Sequence, residues 1–209
     1  MVGRVESPYE VYHPPNRQND RVWVAGSSDV QTVPNVKHSA KVHVWGMMSH
    51  RTLSQLHVVP PKVVNNGEYY RENILTKDCL DAIHRTAETG GVLKCSLMTD
   101  TSRAIFMQDG TPPHTAQKTQ QWCRQHLPDF WERGVWPGNS PDLNPIENLW
   151  TIVQQEVDKM TPASSVGELA EQLKKAWGRI KPDVLEKLVS RMPQRIHDCI
   201  ALKGGYIGK

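Results

Sequence analysis

Two carboxylates in this 209-residue sequence are placed where they could do chemistry together, one at the end of a strand and the other at the start of a helix. Asp109 closes the apolar run Ala104-Ile105-Phe106-Met107-Gln108, which has the length and composition of a buried strand. Glu147 lies in WPGNSPDLNPIENLW, residues 136 to 150. There Asn144 suits an N-cap and Pro145 the first helical position, and Ile146, Leu149, Trp150, Val153, Val157 and Met160 recur at helical spacing. The run rich in Pro, Gly, Asn and Ser before it cannot start the helix earlier, so Glu147 falls in the first turn. Carboxylates that converge from separate elements suit hard divalent cations, because Mg and Mn prefer oxygen ligands and keep positions open for phosphate. Two such ions can activate a water or hydroxyl nucleophile and stabilise the leaving oxygen of a phosphodiester.

Both acids also have plainer explanations. Asp109-Gly110 is a common turn pair, and Asn144-x-x-Glu147 is a capping box that is worth roughly 1 kcal/mol to the helix with no metal present. His114 reads as a substrate contact or a cap, with the structural role favoured, and His43, His57 and His84 read as packing or surface residues.

The elements that must position the two acids can be traced along the chain. Val2 to Tyr12 has strand composition, and residues 13 to 40 form a Pro- and Gly-rich excursion with a brief strand candidate at Arg21 to Ala25. Lys41 to Met48 and Gln55 to Val59 form an antiparallel hairpin pattern. Asn66 can cap a helix to about Glu88, with Tyr70, Ile74, Leu80, Ile83 and Ala87 as its apolar stripe, before Gly90-Gly91. After the strand ending at Asp109, Thr111-Pro112-Pro113 opens a helix to Leu127 that turns Ala116, Thr119, Trp122, Cys123 and Leu127 inward, and Phe130 to Trp136 can form a last short strand. Beyond the Glu147 helix, Ser165 and Glu168 form a capping box ahead of Leu169, Leu173, Ala176, Trp177 and Ile180. Pro182 then opens a helix with Leu185, Leu188, Val189 and Met192 that ends at Gly204-Gly205. The order is α/β with a mixed sheet, and open sheets of this kind place sites at strand ends.

Composition narrows the choices. A hydrophobic fraction of 38% and a charged fraction of 22% are ordinary for a globular chain, and no apolar run approaches a membrane span. The first residues lack the apolar core of a secretory signal, so Cys79, Cys95, Cys123 and Cys199 are expected as reduced thiols; their spacing matches no zinc pattern. Net charge is only +3, but the middle of the chain is acidic and both ends are basic, which suits carboxylates flanked by phosphate-tolerant surfaces.

The run Gln108-Asp109-Gly-Thr-Pro-Pro-His114-Thr, followed by Trp136 to Trp150, resembles the catalytic domain of mariner-type DDE transposases. The likeness extends to Val42–Gly46, to Tyr69-Tyr70, to the segment from Asn16 to Trp23 and to the Lys203-Gly-Gly terminus. It implies a ribonuclease-H-like mixed sheet flanked by helices over residues 1 to 160, with a C-terminal helical extension over 161 to 209. The excursion of residues 13 to 40 would be a loop that clamps a partner subunit in a homodimer. The resemblance further implies metal-dependent cleavage and strand transfer of double-stranded DNA in the nucleus, with Mg or Mn as cofactor and no membrane or small-molecule substrate. Asp109 would be the second and Glu147 the third acid of the catalytic, metal-holding triad, with 37 residues between them.

The sequence departs from that family in two ways. In the family the first acid lies on the first strand in a segment resembling Phe-Ser-Asp-Glu-Ser; here the segment reads Gly3-Arg4-Val5-Glu6-Ser7, with Val5 where the aspartate should be. That aspartate bridges both metals, and without it two divalent ions about 4 Å apart repel by roughly 15 kcal/mol at an effective dielectric of 20. Glu6 is shifted by one residue, which on a strand points to the other face, and Asp20 lies in the excursion. The resemblance also implies helix-turn-helix modules ahead of the catalytic domain; none precedes Val2 in this sequence, as expected of a truncated or degenerate copy and equally of an incomplete gene model. Three functions follow as expectations: a transposition nuclease with impaired catalysis, an inactive remnant that binds nucleic acid or itself, and a ribonuclease-H-like nuclease of other ancestry that cuts RNA:DNA hybrid.

Overall fold

The computed structural model describes residues 2–11, 40–80, 82, 105–137 and 140–207. Five strands form one mixed sheet: β1 (Val2–Glu10), β2 (Lys41–Met48), β3 (His57–Val58), β4 (Ile105–Met107) and β5 (Asp129–Phe130). Their spatial order is β3-β2-β1-β4-β5. β1 runs antiparallel to β2 from Gly3↔Met48 to Glu10↔Lys41 and parallel to β4 at Val2↔Phe106 and Gly3↔Met107, so it is the central strand. The expected hairpin forms with a shorter second strand: β3 pairs through Val44↔Val58 and Trp45↔His57, after a bridge at Met48↔Leu53. The strand candidate at residues 21 to 25 and the excursion around it lie outside the described residues.

β2 shows why the sheet is buried on both faces. Val42, Val44 and Met48 join one apolar cluster, and Trp45 and Met47 join another, because successive side chains on a strand point to opposite sides. The first cluster is completed by three helices, α4 (Pro145–Asp158), α5 (Val166–Gly178) and α6 (Pro182–Ser190). Ile146, Leu149 and Val153 on α4 are fully buried, and each such side chain contributes about 1.5–3 kcal/mol relative to exposure. The second cluster is covered by a helical segment that starts as a single α-turn, α1 (Gly67–Tyr69), and continues as a π-helix, Tyr70–Cys79. Two further helices, α2 (Pro112–Thr115) and α3 (Gln117–His126), follow β4, and Cys123 of α3 also belongs to this cluster.

Several local expectations are corrected. Asn66 does cap its helix, accepting from the Glu68 and Tyr69 amides, but the winding is wider than the 3.6 period assumed. The buried residues Tyr70, Leu75 and Ile74, Cys79 recur at five-residue spacing, and Leu80 is only partly buried. The helix expected from Thr111 to Leu127 breaks at Ala116, whose ψ of 135° is extended. The strand expected over Phe130 to Trp136 is limited to β5, and a turn with Gly134 at φ +88° follows it. The last helix is two helices, because Met192–Ala201 (α7) starts anew with a proline in its first turn. In the box at Ser165, Ser165 Oγ accepts from the Glu168 amide as expected, but the Glu168 carboxylate returns to the amide and hydroxyl of Ser164. Among the described residues no helix is long and apolar enough to cross a membrane.

One glycine is required by contact. A Cβ on Gly46 would lie 2.7 Å from Cη2 and Cζ2 of Trp177 and 3.4 Å from Trp150. Gly46→Ala should lower unfolding stability by about 1–3 kcal/mol through overpacking, measured by urea denaturation. An unchanged midpoint would mean that the Trp177 ring yields freely.

Candidate active site

The buried end of β4 carries Asp109 into the open. Phe106 and Met107 are 1% exposed and Gln108 5%, whereas the Asp109 side chain is 24% exposed. The Asp109 turn is closed by its own carboxylate, whose Oδ1 accepts from the Thr111 amide (3.1 Å), the Thr111 hydroxyl (2.8 Å) and the imidazole Nδ1 of His114. All three bonds end on the same oxygen. Oδ2 is therefore the one left for another ligand.

His114 is wholly buried and held by its own polar scaffold. Its ring lies 4.7 Å from that of Tyr70, and the Tyr70 hydroxyl donates to Gln108 Oε1 at 3.0 Å. The His114 carbonyl accepts from Gln120 Nε2 at 2.9 Å, and Gln120 Oε1 accepts from the Arg133 amide at 3.0 Å. Buried polar groups of this kind rigidify when satisfied and are costly when broken. Burial alone would push the Asp109 carboxyl up. The hydrogen bond and charge of His114, with the hydroxyl and amide of Thr111, outweigh burial and hold the carboxyl well below the usual carboxylate range.

Glu147 occupies the first turn of α4, as the capping signals required. The plainer account, a reciprocal capping box, is not the arrangement found. Asn144 Oδ1 accepts from the Ile146 amide at 3.4 Å, but the Asn144 amide donates to the Pro141 carbonyl at 3.1 Å, so the donor a box would offer to Glu147 is engaged elsewhere. A 3-10 turn at Pro141–Leu143 leads into the cap, and two distant contacts pin it. Arg195 donates to the Asp142 carbonyl (2.9 Å), and the Ile207 amide donates to Asp142 Oδ2 (3.2 Å). Asp142 is thus an acid committed to holding the loop.

Asp109 and Glu147 line one open cleft of about 420 Å³, together with Thr111, Trp136, Pro137 and Asn144. The register of the central strand adds a third position. Val5 is opposite Gly46 of β2, and the parallel pairing with β4 ends at Gly3↔Met107; carried on by two residues past that end, the same register would put Val5 level with Asp109. Glu6 takes the next register position, opposite Trp45, and Asp20 lies outside the described residues. Among the described residues no three His, Cys, Asp or Glu form a group able to hold a metal. The donor chemistry of Asp109 Oδ2 and Glu147 fits a single hard cation such as Mg or Mn.

Three parts of this site were not readable from the sequence. His114 had looked like a cap and instead fixes the second acid; its five-residue offset from Asp109 across a Pro-Pro turn was the available signal. Tyr70 and Gln108 meet only through the tertiary structure, and Trp136 had been read as part of a strand.

The chain matches the family model described as DDE superfamily endonuclease over residues 13–170. It is 36% identical over 100 residues to the transposable element Tcb2 transposase of Caenorhabditis briggsae, covering 48% of this chain and 35% of that protein. It is 30% identical over 172 residues to the Tcb1 transposase of the same organism, covering 82% and 56%. The chain therefore spans about half or less of the length of these relatives. Its fold is that of the mariner Mos1 paired end complex with Mg, with a TM-score of 0.76 at 17% identity, covering 99% of this chain and 56% of that one. The architecture is ribonuclease-H-like.

The scaffold predicts a shift in titration. A carboxyl held low adds stability in full above its unfolded value near pH 4 and loses it as pH falls toward the lowered folded value. His114→Ala should raise the Asp109 carboxyl toward or past the ordinary range, because the burial remains, and carbon-13 NMR of the carboxyl reads this directly. An unchanged titration would assign the effect to Thr111.

Proposed function

We propose a function from one premise: the chain belongs to the DDE superfamily of endonucleases. It is a transposase-derived domain for metal-dependent DNA strand cleavage and strand transfer in DNA transposition, with catalysis impaired at the Val5 position. The observation that carries this reading is the shared cleft, into which a strand end and a helix start bring Asp109 and Glu147.

In this reading Asp109, through Oδ2, and Glu147 hold Mg or Mn. The cation, when bound, supplies Lewis acidity and lowers the pKa of an attacking water. The chain's own residues do the rest. Thr111 and His114 keep Asp109 ionised and aimed, and Asn144 fixes where α4 begins. Trp136 and Pro137 form part of the cleft wall. Double-stranded DNA is the proposed substrate, supported by similarity to a protein solved as a paired end complex with Mg. Action as a homodimer in the nucleus belongs to the same proposal.

Val5 favours a weak centre over a fully active one. With a valine level with Asp109, the position that would bridge two cations has no oxygen donor, and a second divalent ion has nothing to offset its repulsion from the first. The alternative reading, a remnant that binds nucleic acid or itself without cutting, rests on the same residue.

Nicking of duplex DNA in Mn or Mg decides between the two. The unaltered chain should cut slowly, Asp109→Asn and Glu147→Gln should not cut, and Val5→Asp should cut faster. Outer-shell partners alone are worth about 10–100-fold in metal affinity, so restoring a direct ligand should tighten Mn binding in calorimetry by at least that factor. Absence of any cut by the unaltered chain, with a gain of function in Val5→Asp, selects the remnant. No gain in Mn affinity in Val5→Asp would sink the placement of that residue beside Asp109.

A further inference from the structure

Trp131 and Trp136 stack on each other, with ring centroids 5.7 Å apart and planes at 21°. Both are only partly buried, and neither belongs to either apolar cluster of the fold. That is an unusual use of the two largest apolar side chains in a short segment, because indoles contribute most when they join a core. Their position supplies a reason. Trp136 lines the cleft of Asp109 and Glu147, and it also lines, with Trp131, Gln108, Gln120 and Arg133, a smaller hollow that shares Asp109 and Gly110 with that cleft. Trp131 backs one side of the Trp136 ring. The cleft receives the rest of it.

We propose that Trp136, backed by Trp131, is a stacking platform for an unpaired nucleobase in this cleft, with Arg133 taking the neighbouring backbone phosphate. The proposal rests on the nucleic-acid reading given above. A cleft of about 420 Å³ is larger than a cation requires, and its indole wall is flat and sequence-tolerant, which suits any base through its π-face. A base next to a freed strand end can leave the duplex stack, and an aromatic wall offsets part of that unstacking cost.

Charge around the platform is consistent with a phosphate. Two acids share the hollow with Arg133: Glu132 is paired with Arg124 through two contacts of 2.8 and 3.0 Å, and Asp109 is held by Thr111 and His114. Arg133 is exposed, and its backbone amide is tied to Gln120, which fixes where its side chain starts. The turn that presents these residues is closed by the Val135 amide on the Glu132 carbonyl at 3.1 Å and depends on Gly134 at φ +88°. The platform is therefore set by the backbone before any ligand arrives.

The test is metal-free, so it does not depend on cleavage. Fluorescence anisotropy in EDTA compares the full chain binding a labelled duplex with a short 3' thymidine overhang and the same duplex with an abasic overhang. The unaltered chain should prefer the thymidine probe by about tenfold, the scale of one stacked base. Trp136→Ala should bind both probes alike, and Trp136→Phe, which keeps a ring, should retain part of the preference. Arg133→Ala should weaken both probes equally and lower the salt slope by about one phosphate contact. Equal binding of both probes by the unaltered chain, or a preference that survives in Trp136→Ala, overturns the platform and leaves the DNA reading standing. Failure to bind either probe at low salt removes both.

Discussion

The contact on which the site depends most is the indole of Trp177 lying against bare backbone at Gly46. Trp177 stacks on Trp150 at 5.0 Å, and Trp150 meets Tyr9 edge-on at 6.3 Å, so three aromatic rings bind α5, α4 and the central strand into one unit. Hydrogen bonds lock it: the Tyr9 hydroxyl donates to the Trp150 carbonyl at 3.2 Å, and Trp177 Nε1 donates to the Ser54 carbonyl at 2.8 Å. Burial raises the Tyr9 phenol well above its ordinary value, so it keeps the proton it donates. Glu147 sits one turn before Trp150, and close-packed interiors transmit displacement. The carboxylate goes where the indoles put it.

Asp109 is placed by different physics. On the opposite face of the sheet its support is polar and local: an imidazole, a phenol and two amide side chains around a turn that starts at the end of β4. An apolar stack tolerates small losses by repacking, whereas a buried hydrogen-bond chain fails as a unit when a member is left unpaired. The two acids therefore answer to independent sets of residues, and both sets bring their acid to the same cleft. Holding Asp109 low keeps it charged, and committing Oδ1 to three donors leaves the other oxygen free for a ligand. Orientation and ionisation come from the same bonds.

How much of this could be read in advance depends on how local the cause was. The entry to α4 was legible because Asn144 and Pro145 act within one turn, and β2 was legible because Lys41–Met48 alternates cleanly between two apolar clusters. After Asn66 the cap and the buried Tyr70 and Ile74 are legible locally, whereas Leu75 and Cys79 are not, because nothing local announces a π winding; Ile83 and Ala87 lie outside the described residues. His114 was undervalued for the same reason. Its role comes from Tyr70, Gln108 and Gln120, which are close only once the sheet has formed. Asp142 shows the reverse error that spacing alone invites: it is an acid in the most motif-rich stretch of the chain, yet its carboxylate holds the Ile207 amide.

Val5 brings these lines together. It stands on the central strand, between β2 and β4, where a β-branched residue suits the pleat and an aspartate does not. In the proposed reading an aspartate there would lie level with Asp109, and like charges brought together without a cation repel. A valine relieves that repulsion and asks nothing else of the fold, since register on both sides is carried by backbone pairing from Gly3 to Glu10. Sites that hold strained or mutually repelling groups trade stability for activity, and a substitution that abandons the trade leaves the scaffold at least as stable as before. The indole stack, the Asp109 scaffold and the Glu147 cap are each held by residues other than Val5.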